Sequence, residues 1–323
     1  MRRLCRFTAG FAAGCAACVL GLSGKALLAA MIAGALALAA VCSAKTRLRR
    51  LRPAALGLLL ALTFCFGYRT LLLRPVERFC AQEQADISAE VLEYPTSSRY
   101  GGAVLVRVET GGRGVRAVLY YQEDLALSPG DRIFCTARLR AADPDNLERD
   151  EYYASRGVWM RASAKGKVEV GKGTPSVRYL PVYAAKRLKD TCRAIFPADV
   201  EGFLTALLTG DKQDLSYAEK NDLSRSGVYH VVAVSGMHVS LLAGLVMLLC
   251  ANRRLTSAAL GIPLVWFFVL LTGANASSVR AGIMQTLLFA SGLARRERDP
   301  WTSFSAALLV LLAENPWSLR NVG

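Results

Sequence analysis

Apolar tracts long enough to cross a lipid bilayer constrain this chain more than any other feature. A helix needs roughly 20 apolar residues to span the hydrocarbon core. The tracts form two groups, one before residue 75 and one after residue 225. The predicted spans are 7–22, 26–43 and 54–73, then 229–250, 257–273 and 279–294, with a partial one at 301–313. This pattern excludes a simple soluble domain and predicts a polytopic α-helical transmembrane bundle.

Basic residues beside the tracts predict the orientation. The chain has 40 Lys and Arg against 25 Asp and Glu, a net charge of +15. Basic clusters precede the first tract, fill 45–52, and follow the tracts that end near 250 and 294. Cytoplasmic loops are enriched in Lys and Arg. We therefore predict a multi-pass plasma (inner) membrane protein with a cytoplasmic N-terminus and with residues 76–225 outside.

The external segment changes to a strand pattern. Short alternating runs occupy 86–91, 103–108, 115–120, 132–137 and 158–162, separated by turns that contain Gly or Pro. A short helix is predicted at 146–155, before the last strand. Five strands of this size indicate an extracytoplasmic small β-barrel of the OB type, a fold that often binds oligonucleotides.

The charge of this barrel leaves its role open. Residues 86–170 contain 12 Lys and Arg and 13 Asp and Glu, so the basic excess lies elsewhere. Either the barrel is a near-neutral structural or gating domain, or a local groove combines charge with stacking surface. The candidate DNA contacts for the second alternative are Arg99, Arg107, Arg113, Arg116, Tyr120 and Tyr121.

The basic excess outside the membrane tracts lies in 172–193. Residues 179–196 have helical spacing with apolar side chains on one side. Such a helix either lies along the outer membrane surface or forms a solvated connector beside the membrane.

Nine cysteines and two histidines limit metal and redox chemistry. Most of the cysteines lie in or beside apolar tracts, where a small soft hydrophobe is expected. Of the external ones, Cys80 and Cys135 are the predicted disulfide pair in an oxidising compartment. No Cys and His cluster has ligand spacing, so we predict no metal site and no cofactor.

Both histidines lie in the tract that begins near 229. Ser235 and Gly236 break this tract, and a helix starting there would carry Ser235 and His238 on one face. Polar groups at membrane depth usually face a bundle interior or a watery path. We therefore expect a kinked or discontinuous segment that is buried in protein or lines a cavity.

Three interpretations of this segment stay open. In the first, Ser235 is a nucleophile with His230 or His238 as its base, although no Asp or Glu occurs from 223 to 296 to orient an imidazole. In the second, the acid-free segment and Arg280 line a path for a polyanion. In the third, the histidines are packing groups between helices.

Five segments carry a resemblance to a known family. They are GDK at 210–212, GVYHVVAVSGMHVSLLAG at 227–244, LTGANASSVRAGIMQTLL at 271–288, RRERDP at 295–300 and ENPWSL at 314–319. In order and spacing they resemble the competence domain of the ComEC-type DNA uptake channels. The external part, ending DPDNLERDEYYASRGVWMRA at 143–162, resembles the OB-like domain of that family. The resemblance covers 85–323.

This resemblance implies a channel component that carries single-stranded DNA across the plasma membrane during natural transformation. An intramembrane serine-type hydrolase or a small-solute transporter is the alternative. The implied partners are single-stranded DNA, the lipid bilayer, a competence DNA receptor and a cytoplasmic helicase-like motor. The positions that match the family motifs, and are candidates for the DNA path, are His230, Ser235, Gly236, His238, Arg280, Asp211, Lys212 and Gly273.

The resemblance also predicts what this chain lacks. Family members usually continue through further membrane helices, and many end in a metallo-β-lactamase-like domain, whereas this sequence stops at Gly323. We therefore expect no enzymatic activity, and a conduit that needs a homo-oligomer or a missing C-terminal half. The predicted domains are N-terminal helices at 1–75, the OB-like domain at 76–172, basic juxtamembrane helices at 173–226 and an incomplete competence-type membrane domain at 227–323.

Overall fold

The chain folds into two compact units. The computed structural model describes residues 3–21, 24–43, 50–82, 84–98, 101–110, 112–123, 125–142, 151–227, 235–251, 253–294, 297 and 299–320. The first unit runs from the N-terminal helices to Thr174 and is completed by Phe304 to Arg320. The second unit is Pro175–Ser303.

The helices of the first unit begin with α1 (Arg3–Val19), α2 (Gly24–Ser43) and α3 (Arg52–Tyr68). A π-helical turn, Arg69–Leu73, joins α3 to α4 (Arg74–Cys80). The helix α12 (Pro300–Glu314) and a 3-10 turn, Pro316–Arg320, complete the unit from residue 304 onward.

Glycines bring α1 and α3 into close contact. A Cβ atom on Gly10 would lie 1.9 Å from the carbonyl oxygen of Ala54, and one on Gly57 would lie 2.1 Å from that of Phe7. Small residues of this kind allow helix backbones to approach closely, which is typical of helix pairs in membranes. The backbones of α1 and α3 therefore pack in direct van der Waals contact at these glycines.

Three helical stretches within the described residues are long and apolar enough to cross a membrane. They are Lys25–Ser43, Arg52–Cys80 and Arg254–Leu271. Gly236–Leu249 and Pro300–Glu314 are shorter apolar helices. The helical and apolar character predicted for both ends of the chain is thus confirmed, whereas the count of six spans and their orientation stay predictions.

The strands form a closed barrel. They are β1 (Gln84–Val91), β2 (Thr96–Ser98), β3 (Gly101–Thr110), β4 (Arg113–Tyr121), β5 (Arg132–Ala141) and β6 (Met160–Gly171). The barrel order is β1-β3-β4-β6-β5 and back to β1, with β4 and β6 parallel and the other pairs antiparallel. The short β2 pairs with β3 only. The five predicted strands are confirmed, and they close into a barrel of the OB type.

Side-chain alternation explains why these segments are strands. Along β5 every second residue is buried, from Ile133 to Leu139, and the residues between them are exposed. The buried side chains of all five barrel strands join one hydrophobic cluster. A short helix, α5 (Glu151–Ser155), precedes β6. The predicted helix at 146–155 is thus confirmed in its last turn, and its earlier residues lie outside the described part of the chain.

The disulfide predicted between Cys80 and Cys135 is not formed. Both residues are free thiols, buried in the cluster that fills the barrel. Burial raises the pKa of the Cys135 thiol, and the nearby Asp86 carboxylate raises it further. A buried neutral thiol acts as a small hydrophobe, so packing accounts for both cysteines.

The second unit is helical. It contains α6 (Leu180–Ile195), α7 (Ala198–Thr209), α8 (Tyr217–Arg225), α9 (Gly236–Leu249), α10 (Arg254–Leu271) and α11 (Ala276–Leu293). Trp266 of α10 donates its indole N–H to Thr286 Oγ1 of α11 at 3.0 Å. Gly261 of α10 lies against the ring of Phe289. Because these contacts run in opposite directions along the two helices, α10 and α11 are antiparallel.

Candidate functional site

The segment around Ser235 forms the start of α9. Ser235 Oγ accepts the backbone N–H of Met237 at 3.3 Å, and Nδ1 of His238 accepts the backbone N–H of Ser235 at 3.2 Å. This reciprocal arrangement is a capping box in which histidine replaces the usual Glu or Gln. The neutral ring of His238 therefore carries its proton on Nε2. His230 lies outside the described residues.

The capping box occupies the groups that a serine nucleophile would use. Ser235 Oγ lies 3.3 Å from Nδ1 of His238, but that nitrogen already accepts a backbone N–H. The sequence from 223 to 296 contains no carboxylate that would orient the ring. The geometry thus favours helix capping over nucleophilic catalysis.

Two helix N-termini lie together in the second unit. A Cβ atom on Gly236 would lie 3.3 Å from the Cβ of Ala281, and Gln285 donates to Ser240 Oγ at 2.9 Å. These contacts advance by one turn along both helices, so α9 and α11 run parallel. Their N-terminal ends carry partial positive charge. Arg280, which is exposed, adds a full charge one turn into α11. We call Ser235, Gly236, His238 and Arg280 the helix-tip site.

Gly273 turns the chain between α10 and α11. Its φ angle is +78°, in the left-handed region that glycine adopts at low cost. The N–H of Ala274 bonds back to the carbonyl of Val269 at 2.9 Å, which closes the end of α10. Gly273 therefore has a backbone role that brings α11 back beside α10.

Asp211 belongs to an ion-pair network instead of an open surface. Lys189 Nζ lies 2.9 Å from Asp211 Oδ2 and 2.8 Å from Asp214 Oδ2. Arg193 contacts Asp214 at 3.0 Å and Glu201 at 3.1 Å. The network joins α6 to α7 and to the loop that follows. Two cations of the basic helix are thus neutralised within the protein, which reduces the charge that α6 presents outward. Lys212 is half-buried in the same loop.

The barrel residues predicted to contact DNA separate into different environments. Arg107 lies 3.7 Å from Glu90, and Arg113 donates to the carbonyl of Leu71 at 3.1 Å. On β4, Arg116 is exposed and Tyr120 is half-buried, and both face outward. Arg99 lies outside the described residues. The prediction for Tyr121 is wrong, because its ring lies in the barrel core with 4% exposure. Successive strand residues point to opposite faces, so Tyr120 and Tyr121 cannot share one surface.

Strand register reveals cations that sequence reasoning missed. Arg140 of β5 lies opposite Arg161 of β6, and Arg138 lies opposite Ser163, which in turn lies opposite Tyr120 of β4. The Arg161 guanidinium lies 5.8 Å from the centroid of the Tyr153 ring. The Tyr153 hydroxyl is hydrogen-bonded to the Tyr120 hydroxyl at 2.7 Å. We define the basic–aromatic face as Arg116, Tyr120, Arg138, Arg140, Tyr153 and Arg161. The parallel pairing of β4 with β6 creates it, and no local sequence pattern signals that pairing.

Comparison with known proteins identifies the C-terminal region. Residues 207–323 match the family described as Competence protein. The resemblance to the ComEC-type competence proteins is confirmed. ComE operon protein 3 of Bacillus subtilis (strain 168) is 23% identical over 245 residues, which are 74% of this chain and 30% of that relative. This chain therefore corresponds to about a third of the relative's length. No solved structure is significantly similar to it.

The matched region, 207–323, is called the competence region below. It contains the whole helix-tip site, as well as Asp211, Lys212 and Gly273. The residues nominated from the family motifs thus fall inside it, although their roles in DNA transport stay predictions. Asn315 and Trp317, which also lie in the competence region, belong to the first unit and pack within it.

Proposed function

We propose that this chain is a membrane component of DNA uptake during natural transformation and that the competence region contributes to the path of the incoming strand. The observation that carries the proposal is the helix-tip site inside the competence region. Two parallel helix N-termini and Arg280 there favour negative charge. The surrounding sequence from 223 to 296 supplies no carboxylate to oppose it. A DNA strand carries one phosphate per nucleotide, so this field suits its passage.

The barrel is proposed to hold the strand outside the membrane. Arg140 and Arg161 lie directly opposite each other on neighbouring strands, so two positive charges share one place on the barrel surface. Tyr120 and Tyr153 add ring surface beside these charges. Aromatic rings and arginines together bind single strands with little sequence preference. The basic–aromatic face thus suits transient strand binding.

The wider setting is part of the same proposal. The chain is a multi-pass protein of the plasma membrane, with a cytoplasmic N-terminus and the barrel outside. A DNA receptor delivers the strand, a cytoplasmic helicase-like motor draws it inward, and a second copy or further membrane helices complete the conduit. The chain itself acts by binding and guiding, without catalysis.

Transformation frequency in the source organism tests the helix-tip site. Arg280→Gln removes its full charge, and we expect at least a tenfold loss of transformants, with unchanged binding of DNA to cells. Arg254→Gln is the matched control, because Arg254 is an exposed cation at the start of the next helix, α10, outside the helix-tip site. Membrane levels of both variants are measured by immunoblot. Equal transformation by the Arg280 variant at normal protein level would overturn the path role.

Oligonucleotide binding tests the barrel face independently. The purified chain in nanodiscs should bind fluorescent oligo-dT, with log affinity falling linearly against log salt. Arg140→Gln and Arg116→Gln should each reduce that slope by about one phosphate contact. Arg113→Gln is the control, since Arg113 is committed to the carbonyl of Leu71. Binding that does not depend on salt would contradict the proposed strand-binding role.

A further inference from the structure

The segment Asn315-Pro316-Trp317 contacts the barrel loop between β5 and β6 as well as the end of α3. Asn315 is 7% exposed, and its side-chain amide donates to the carbonyls of Ala154 at 2.7 Å and Ser155 at 3.2 Å. Its Oδ1 accepts the backbone N–H of Trp317 at 3.0 Å. One buried side chain thus links the C-terminal segment to the last residues of α5, with every polar atom of its amide engaged.

Helix α5 needs such a partner because it has only five residues. A single helical turn is not stable alone in water, and its last carbonyls require external donors. Asn315 supplies donors to two of them. The same turn carries Tyr153, whose hydroxyl lies 2.7 Å from that of Tyr120. The position of Tyr153 on the basic–aromatic face therefore depends on how α5 is held.

Trp317 fixes the other end of the loop. It is fully buried, and its ring centroid lies 5.3 Å from that of Trp159 and 5.6 Å from that of Tyr68. Trp159 in turn donates its backbone N–H to the carbonyl of Arg116 at 3.2 Å. The indole N–H of Trp317 has no hydrogen-bond partner among the described residues. Its contribution is thus that of an aromatic ring and not of a donor.

We infer that Asn315 and Trp317 are positioning residues for strand binding, because they hold the loop that presents Tyr153 beside Tyr120 and Arg161. The inference rests on the proposed function of the barrel face. Asn315 and Trp317, which follow α12, thereby position a barrel loop that lies much earlier in the sequence. The segment touches no DNA itself, and it acts through α5 and Trp159.

Oligo-dT binding by the full chain in nanodiscs tests this inference. Asn315→Leu has similar volume and no donor, and we expect about a tenfold weaker affinity, the size of one lost base stack. The salt slope should not change, because no phosphate contact is lost. Asn221→Leu on the exposed face of α8 is the matched control and should bind as wild type. Trp317→Phe should also bind nearly as wild type, whereas Trp317→Ala should resemble Asn315→Leu.

A double-mutant cycle separates positioning from a general loss of structure. If Asn315 acts through Tyr153, then Asn315→Leu should have no further effect on affinity in a Tyr153→Ala background. Additive losses would overturn the inference. If Asn315→Leu does not fold, the cycle is made with Trp317→Leu in its place.

Hydrogen exchange of residues 151–159 gives a readout that does not require DNA. Exchange in this peptide should accelerate in Asn315→Leu and stay at the wild-type rate in Asn221→Leu. Unchanged exchange would refute the holding role. A wild-type chain that binds no oligo-dT would instead refute the proposed function, and with it the strand-positioning role, even if exchange accelerates.

Discussion

Nδ1 of His238 lies 3.2 Å from the backbone nitrogen of Ser235, so the ring that sequence motifs mark as functional also holds the first turn of a helix. A Ser-x-x-His capping box satisfies two N–H groups that a helix start otherwise leaves open. Its remaining nitrogen, Nε2, carries the proton and is left as a donor. The residue thus combines a structural role with a donor that suits an anion.

His238→Gln should keep the capping box, and His238→Ala should lose it. Glutamine is a usual residue at this position of the motif, so the free energy of unfolding should change little. The alanine variant should lose about 1 kcal/mol. Denaturant unfolding of the purified chain in detergent measures both values. Transformation that fails in both variants, with normal stability in the glutamine variant, would show that the imidazole has a separate role in transport.

A serine-reactive probe distinguishes the hydrolase alternative. The capping geometry predicts that Ser235 is not labelled at a rate above that of ordinary serines, because Nδ1 of His238, the nearest base, already accepts the backbone N–H of Ser235. Ser235→Ala is the control. Rapid labelling that disappears in Ser235→Ala would favour a hydrolase over a helix-capping serine.

Lys189→Met should destabilise the junction of α6 and α7. Burial opposes the charge of Lys189, but hydrogen bonds to Asp214 and Asp211 outweigh it and raise the pKa of the ammonium group. A raised pKa means that the ion pairs stabilise the fold from above the aspartate range up to the ordinary lysine range. Their contribution is lost as pH rises through the raised pKa. We expect a loss of about 1 kcal/mol at pH 7.

The control for Lys189 is Arg187→Met, which removes an exposed cation from the same helix. Its free energy of unfolding should match that of wild type within about 0.5 kcal/mol. Urea unfolding at pH 7 and again at strongly alkaline pH measures the difference. A gap between Lys189→Met and wild type that persists unchanged above the raised pKa would contradict the ion-pair explanation.

Asp131 closes the barrel at the start of β5. Its Oδ1 accepts the N–H of Gly173 at 2.9 Å, and its Oδ2 accepts the N–H of Ser128 at 2.9 Å and Lys172 Nζ at 3.2 Å. Burial alone would raise the pKa of this carboxyl, but these donors outweigh burial and lower it. The stabilisation is therefore present above the ordinary aspartate pKa and is lost as pH falls through the lowered one.

Asp131→Asn should cost about 2 kcal/mol at neutral pH, since hydrogen bonds to a charged acceptor are lost. The gap from wild type should narrow only below the ordinary aspartate range, as wild-type Asp131 becomes protonated. Asp86→Asn is the control, because its carboxylate has an exposed hydrogen bond to Thr136. Denaturant titrations followed by tryptophan fluorescence measure the gap, and a gap that stays constant down to strongly acidic pH would refute the account.

Gly57→Ala should separate α1 from α3. The added methyl group would lie 2.1 Å from the carbonyl oxygen of Phe7, so a backbone must move. Overpacking of this kind costs about 1–3 kcal/mol. Gly67→Ala, in the same helix, brings the new methyl group within 4 Å of no other packed element in the described part of the chain and should stabilise the helix slightly. Thermal unfolding in detergent compares the two, and equal midpoints would contradict the close packing of α1 on α3.

The barrel strands could be predicted well from the sequence because alternation is a local signal. Ile133 to Leu139 alternates with exposed residues in the structure just as the sequence pattern indicates. The residues that share the basic–aromatic face were harder to predict, because this depends on which strands become neighbours. Arg161 meets Tyr153 and Arg140 only through the pairing of β6 with β4 and β5.

The disulfide prediction was wrong for a related reason. The predicted external compartment suggested a bond between Cys80 and Cys135, whereas burial in a common core is sufficient to explain two free thiols. Likewise, the resemblance marked Asp211 as a motif residue, but only the fold shows that Lys189 neutralises it. Sequence identified the important segments, and tertiary contacts determined what each side chain does.

The burial of Trp317 has a consequence for biosynthesis. Its ring fills a place beside Trp159 and Tyr68, yet the ribosome makes those two residues long before it makes Trp317. Arg320 likewise reaches back to the carbonyl of Val19 at 2.7 Å. The first unit therefore cannot complete its core until the whole of the second unit has been translated. During that interval the place beside Trp159 and Tyr68 lacks the ring that fills it in the complete fold.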